Sequence, residues 1–196
     1  MIGLPTADDV LAFWFGNAPL HAPLHAPRPE WFAKSDAYDA QIRTRFLPLW
    51  EALSSGGADT WMDTPLEAIA RIVVLDQFPR NMFRNTARAF ASDTAALHTA
   101  QIVVAAGWDA QLPTRFHRTF CYLPFEHSES LAMQDESIRL YTRLRDEEGD
   151  ADPLVWAEKH REIIARFGRF PHRNAALGRT STPEEVAFLA QPGSSF

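Results

Sequence analysis

Three short segments of the sequence place charged and amide side chains among aromatic residues and prolines. Residues 76–81 read Asp-Gln-Phe-Pro-Arg-Asn, residues 123–129 read Leu-Pro-Phe-Glu-His-Ser-Glu, and residues 166–174 read Arg-Phe-Gly-Arg-Phe-Pro-His-Arg-Asn. Polar groups in apolar surroundings are costly unless they are paired. Each segment therefore predicts either a buried polar network or part of a binding site.

Arginine dominates the basic residues of the chain, with seventeen Arg and only two Lys. A guanidinium group is a planar fork that matches a carboxylate or a phosphate, which a lysine does poorly. We therefore predict one pocket, formed by all three segments, that binds a small anionic molecule or the acidic end of a peptide. Its predicted ligand-binding residues are Asp76, Gln77, Arg80, Asn81, His160, Arg169, His172, Arg173 and Asn174.

An enzyme is the first alternative, because His127 beside Glu126 provides a candidate proton carrier. Hydrolysis or other acid–base chemistry on an anionic substrate would suit this pair. The sequence contains no Gly-x-Ser-x-Gly motif, no phosphate-binding loop and no activated cysteine. Whether the protein is an enzyme stays open at this point.

A protein-interaction scaffold with a purely structural polar network is the second alternative. In that case the arginines would pair with the acids of the same segments, namely Asp76, Glu126 and Glu129. No cofactor is predicted. No metal is predicted either, because Glu126, His127, His160 and His172 lack a metal-ligand spacing and the nearby arginines would repel a cation.

Helix signals recur along the chain, and strand signals do not. The predicted starts are Thr6, Ser35, Thr64, Ser92, Pro113, Ser128, Asp152 and Thr182. This pattern predicts an all-α protein of about eight helices, arranged as a bundle or an array of helical hairpins. The helix after Thr64, extending to about Phe78, is apolar on several faces and should be central.

Prolines mark interruptions in this helical pattern. A kink is expected at Pro48 and a helix break near Pro124. Four prolines in residues 17–29 predict an extended surface loop. Because no interior segment reads as a linker, residues 1–196 are predicted to form a single domain.

Composition and charge exclude several classes of protein. A net charge of −6 disfavours nucleic-acid binding. No apolar run reaches the length of about 20 residues that a membrane helix needs. A single cysteine, Cys121, and an N-terminus without a basic signal region favour the cytoplasm. A protein partner is compatible with the sequence, and the oligomeric state is not predicted.

The three segments resemble the bacterial family called domain of unknown function 924. So do Phe-Trp-Phe-Gly at residues 13–16 and Leu-Gly-Arg-Thr-Ser-Thr-Pro-Glu-Glu at residues 177–185. The resemblance covers nearly the whole chain. It implies an all-helical, tetratricopeptide-like fold. It implies no activity, since the family is named for lacking an assigned one.

Overall fold

The computed structural model describes residues 3–16, 26–56, 60–149 and 152–194. None of these residues lies in a β-strand, which confirms the all-α prediction. The α-helices of the described residues are α1 (Ala7–Phe15), α2 (Asp36–Ser54), α3 (Pro65–Ile72), α4 (Phe78–Met82), α5 (Asp93–Ala105), α6 (Arg115–Glu126), α7 (Leu131–Glu148), α8 (Asp152–Phe167) and α9 (Pro183–Leu189). A π-helical segment (Val73–Gln77) joins α3 to α4 without a break, so these residues form eight continuous helices, as predicted.

Side-chain caps explain where several helices begin. The hydroxyl of Thr6 accepts a hydrogen bond from the backbone of Asp9, and Thr64 does the same for Glu67. Thr182 and Glu185 form a reciprocal capping box at the start of α9. Each cap satisfies backbone N–H groups that have no partner within the helix, so the predicted starts at these threonines are confirmed.

Three predicted boundaries were wrong. α6 begins at Arg115 rather than at Pro113. α6 continues through Pro124 to Glu126, although a proline removes one backbone hydrogen bond. Pro124 lies in the last turn of α6 and is itself buried, and its apolar packing offsets the lost bond. α7 begins after Ser130 rather than Ser128. The backbone oxygen of Ser128 instead accepts a hydrogen bond from a side chain of α7.

The remaining proline predictions concern residues 17–29 and Pro48. Residues 17–25 lie outside the described residues. Residues 26–28 are not helical, and Pro29–Trp31 form one turn of 3-10 helix. α2 continues through Pro48, and the expected kink stays a prediction.

The π-helical segment begins three residues before Asp76 and lies at the end of the most apolar helix. Its Leu75 carbonyl accepts a hydrogen bond of 2.5 Å from the hydroxyl of Ser92. That hydroxyl in turn accepts one of 2.9 Å from the indole nitrogen of Trp50. Short π-helical segments are rare and frequently lie at functional sites. Here the segment holds a polar pair, Asp76 and Gln77, inside a helix that the sequence pattern would end near Phe78.

The chain divides into two compact units, which are described separately below. The first consists of residues 1–84 and 88–124, and the second of residues 85–87 and 125–196. In the first unit α3 packs against α1 and α5, and Ala68, Ile69, Ala70 and Ile72 are completely buried. This confirms that the helix after Thr64 is central.

The second unit is built on the pairing of α7 with α8. Its buried apolar residues include Leu140, Tyr141, Leu144, Ile164 and Phe170. The prediction that both units form a single domain, and that their arrangement is tetratricopeptide-like, stays a prediction. No helix among the described residues combines the length and the apolar character needed to span a membrane.

Candidate ligand-binding site

Arg80 is held by carboxylates of its own unit. Its two terminal nitrogens donate to the two oxygens of Asp93, at 2.8 and 3.1 Å. The same guanidinium lies 3.5 Å from the carboxylate of Asp76, whose side chain is almost fully buried. Asp76 also accepts a hydrogen bond of 2.5 Å from Gln77. A guanidinium with two such partners is engaged within the protein.

Asn81 is engaged in the same way. Its amide donates to Asp39 at 2.8 Å, and Arg84 donates to both oxygens of the same carboxylate. Burial raises the pKa of Asp39, but the hydrogen bonds from Arg84 and Asn81 outweigh it and keep this pKa below its ordinary value. Arg80 and Asn81 are therefore bound to carboxylates of the first unit, and two of these, Asp93 and Asp39, lie outside the predicted segments.

In the second unit, Glu126 and His160 form a buried contact. Nδ1 of His160 lies 3.0 Å from Oε1 of Glu126, and the two side chains are 7% and 5% exposed. The same nitrogen lies 2.9 Å from the backbone oxygen of Trp156. Because a carbonyl oxygen can only accept, Nδ1 must carry the proton. Nε2 is then the nitrogen through which the neutral ring could accept a proton.

Phe170 brings the second and third segments together. Its ring, which is fully buried, meets His160 edge-on with centroids 5.5 Å apart. The ring of His172 lies at the same distance, and the guanidinium carbon of Arg173 lies 4.5 Å from the centroid of Phe170. The rings of His127 and His160 are 6.4 Å apart. Three predicted site residues thus lie against Phe170, and a fourth, His127, lies beside His160.

The protonation of His160 follows from these surroundings. Burial lowers the pKa of its imidazole well below the ordinary value, and the nearby charges of His127 and Arg173 act in the same direction. The hydrogen bond to Trp156 acts in the opposite direction and is outweighed. The ring is therefore neutral at neutral pH.

A bidentate ion pair that the sequence did not predict positions Phe170. The left-handed backbone at Gly168, with a φ of 69°, turns the chain back after α8. Phe170 then donates its N–H to Glu129 and accepts from Arg179 through its carbonyl. Arg179 binds both oxygens of Glu129, at 2.6 and 2.8 Å.

Arg169 and Asn174 are engaged by α9. Arg169 donates to both oxygens of Glu185, at 2.7 and 2.8 Å. Asn174 donates to Ser181 and Glu185 and accepts from Arg179. The Arg169 and Thr182 hydrogen bonds lower the pKa of Glu185 to about 2. Arg169 and Asn174 are thus part of a hydrogen-bond network that holds the segment between α8 and α9 in place.

Gln134 belongs to this region and was missed in the sequence. It is completely buried, and its Nε2 donates to the backbone oxygens of Glu126 and Ser128, at 2.7 and 2.8 Å. Leu131, three residues before it at the start of α7, is apolar but 44% exposed. Extending the spacing of Tyr141 and Leu144 backwards by threes and fours would have found Gln134.

The predicted site residues thus fall into two groups. Residues 76–81 belong to the first unit, whereas residues 126–129 and 166–174 belong to the second. Within the second unit His160, His172 and Arg173 lie against Phe170, and His160 also contacts Glu126 and lies beside His127. One pocket formed by all three segments stays a prediction. Among the described residues, no group of three or more His, Cys, Asp or Glu side chains is arranged to hold a metal ion.

The fold and the site define an all-helical protein in which a buried Glu–His pair lies beside an arginine and two further histidines. The chain belongs to the bacterial family described as a protein of unknown function, DUF924, which matches residues 10–193. This confirms the resemblance that the sequence motifs carry.

A solved structure supports the same assignment. The chain is similar to a protein of unknown function, ATU0120, from Agrobacterium tumefaciens. The two are 36% identical, the match covers 94% of this chain and 96% of that chain, and the TM-score is 0.82. No curated protein matches this chain.

Proposed function

We propose that the second unit binds a small anionic ligand beside Arg173, with His127, His160 and His172 around it. The observation that carries this proposal is the burial of Arg173, which is only 6% exposed and stacks on Phe170 next to a buried histidine. A guanidinium in such surroundings presents a desolvated, oriented fork, and its interaction with an anion is stronger there than in water.

The charges around Arg173 support an anionic ligand. Two neighbouring carboxylates are already bound by other arginines, Glu129 by Arg179 and Glu185 by Arg169. Arg169, Arg173 and Arg179 all lie between α8 and α9, so this stretch concentrates positive charge that attracts an anion. Burial raises the pKa of Glu129, but the hydrogen bonds from Arg179 and Phe170, together with the charge of Arg173, keep it below its ordinary value.

The surroundings also indicate the size and chemistry of the ligand. A carboxylate or a phosphate matches the guanidinium, and Phe170 provides one flat apolar wall. The imidazole of His160, which is neutral at neutral pH, supplies a hydrogen-bonding group without adding a full charge. A small organic acid or phosphate ester fits this combination, and the free carboxyl end of a peptide would offer the same chemistry.

The test is a titration of the full chain with inorganic phosphate, citrate, succinate and a short peptide with a free carboxyl end, followed by ¹H–¹⁵N NMR. We expect at least one of them to shift the amides of residues 126–127, 160 and 170–173. Arg173→Gln should abolish this response, and Arg173→Lys should weaken it because the fork is lost.

Arg139→Gln is the matched control, since Arg139 belongs to the same unit but pairs with Glu136 at the surface. It should bind as the wild type does. The proposal would be overturned if none of the four probes shifted these amides, or if Arg139→Gln lost binding as completely as Arg173→Gln.

An acid–base enzyme is the second candidate, favoured by the contact between His160 and Glu126. The carboxylate and the Trp156 carbonyl orient the ring through Nδ1, which makes Nε2 its basic nitrogen. This contact makes Glu126 with His160 the pair to test first, beside the pair of Glu126 with His127 that the sequence suggested. A panel of p-nitrophenyl phosphate and p-nitrophenyl carboxylate esters tests this candidate. This candidate is supported if the wild type turns over an ester, His160→Gln and Glu126→Gln abolish the turnover, and His127→Ala retains it. If the wild type turns over none of the esters, this candidate is rejected.

A further inference from the structure

The amide of Gln134 has a fixed orientation. Its Nε2 donates two hydrogen bonds, to the backbone oxygens of Glu126 and Ser128. Turning the amide over would place Oε1 against two carbonyl oxygens, which repel it. Oε1 therefore points away from them, and this buried acceptor has no hydrogen-bond partner among the described residues.

Ser137 repeats this feature one helical turn later. Residues three apart on a helix lie on the same face, so Gln134 and Ser137 are neighbours on α7. Ser137 is also completely buried, and its hydroxyl has no partner within the described part of the chain. Buried polar groups nearly always have partners, so two adjacent exceptions call for an occupant that supplies one.

These two groups adjoin the proposed anion site. Gln134 contacts the backbone oxygen of Glu126, and the side chain of Glu126 contacts His160. His160 meets Phe170, on which Arg173 is stacked. A continuous series of contacts within the second unit thus leads from the open acceptor of Gln134 to the guanidinium of Arg173.

We infer that the ligand of this site carries a hydroxyl or amino group in addition to its acid group, and that Gln134 and Ser137 bind it. Oε1 of Gln134 accepts the hydrogen bond of that group, and Ser137 completes its coordination. The inference rests on the proposed function, and it narrows the ligand to small hydroxy acids, amino acids or hydroxylated phosphate esters.

The experiment compares probes that share a skeleton and differ in the donor group. Propionate, lactate and alanine form one set, and propyl phosphate and glycerol 3-phosphate form the other. Dissociation constants come from NMR titration of the full chain. The side-chain carbonyl ¹³C signal of Gln134 reports directly on a hydrogen bond to Oε1.

We expect a donor-bearing probe to bind about tenfold more tightly than its plain analogue, since the analogue leaves a buried acceptor unmatched. The Gln134 carbonyl signal should move with that probe only. Ser137→Ala removes a hydroxyl that has no hydrogen-bond partner among the described residues, so the variant should fold and should lose most of this preference. Ser54→Ala, at the exposed end of α2, is the control and should keep it.

Equal affinities within both sets, with an unchanged Gln134 signal, would overturn the inference while leaving the anion site in place. A buried water molecule would then be the partner of Gln134 and Ser137. If no probe of either set shifts the amides around Arg173, the proposed function itself fails, and the inference fails with it.

Discussion

Nδ1 of His160 lies 3.0 Å from Oε1 of Glu126, although 34 residues separate them in the chain. The contact joins the end of α6 to the middle of α8. It gives the buried carboxylate a partner and selects the tautomer of the imidazole together with Trp156. A structural role and a chemical role both follow from this geometry, and substitutions can separate them.

Glu126→Ala should lower the free energy of unfolding by about 2–4 kcal/mol, because a buried partner is removed and a cavity is left. Glu126→Gln keeps the shape and should cost about 1 kcal/mol. His127 is only half-buried, so His127→Ala should stay within about 0.5 kcal/mol of the wild type. Urea denaturation followed by circular dichroism measures all three. If Glu126→Ala and His127→Ala lost equal free energy of unfolding, the contact between Glu126 and His160 would not be a main source of stability.

Arg80→Ala should destabilise the protein by about 3 kcal/mol, since it leaves the buried carboxylate of Asp76 without its cation. Arg80→Lys should restore only part of this, because a lysine cannot replace the bidentate contact with Asp93. Arg145, which pairs with Asp146 at the surface, provides the control. Arg145→Ala should cost no more than about 0.5 kcal/mol. Melting curves that did not distinguish Arg80→Ala from Arg145→Ala would contradict this prediction.

Ser92→Ala should destabilise the π-helical segment. The substitution removes the donor to the Leu75 carbonyl and the acceptor for the Trp50 indole at once, and both sites are buried. We expect a loss of about 2–3 kcal/mol in the free energy of unfolding, measured by urea denaturation. Amide hydrogen exchange should accelerate first at residues 73–77. Ser55→Ala, at the exposed end of α2, should leave both measurements unchanged.

Glu185 should make the protein sensitive to acid. Its pKa falls from 4.5 to about 2 on folding, so the folded state favours the ionised carboxylate. This stabilisation is fully present above pH 4.5 and is lost as the pH falls towards 2. The melting temperature of the wild type should therefore fall more steeply over this interval than that of Glu185→Gln. Glu184→Gln, which alters a surface ion pair with Arg166, should follow the wild type. Parallel curves for wild type and Glu185→Gln would show that the carboxylate contributes nothing.

Local signals were sufficient to predict most of the helices. Capping by Thr6, Thr64 and Thr182 depends on side chains only three residues away, so the pattern is readable in the sequence. The continuation of α6 through Pro124 was not readable, because the packing that compensates for the lost bond comes from residues that are buried only in the folded chain.

The residue types of the site were evident from the sequence, and their pairing was not. Arginine, glutamate and histidine side chains stood out because they interrupt apolar segments, whichever partner they take. Tertiary packing decided that Arg80 binds Asp93, that Arg169 binds Glu185, and that the partner of Glu126 is His160. A sequence specifies which groups need a partner when they are buried, since that depends on their chemistry. Which partner each one takes depends on distances of a few ångströms between helices, and only the folded chain sets those distances.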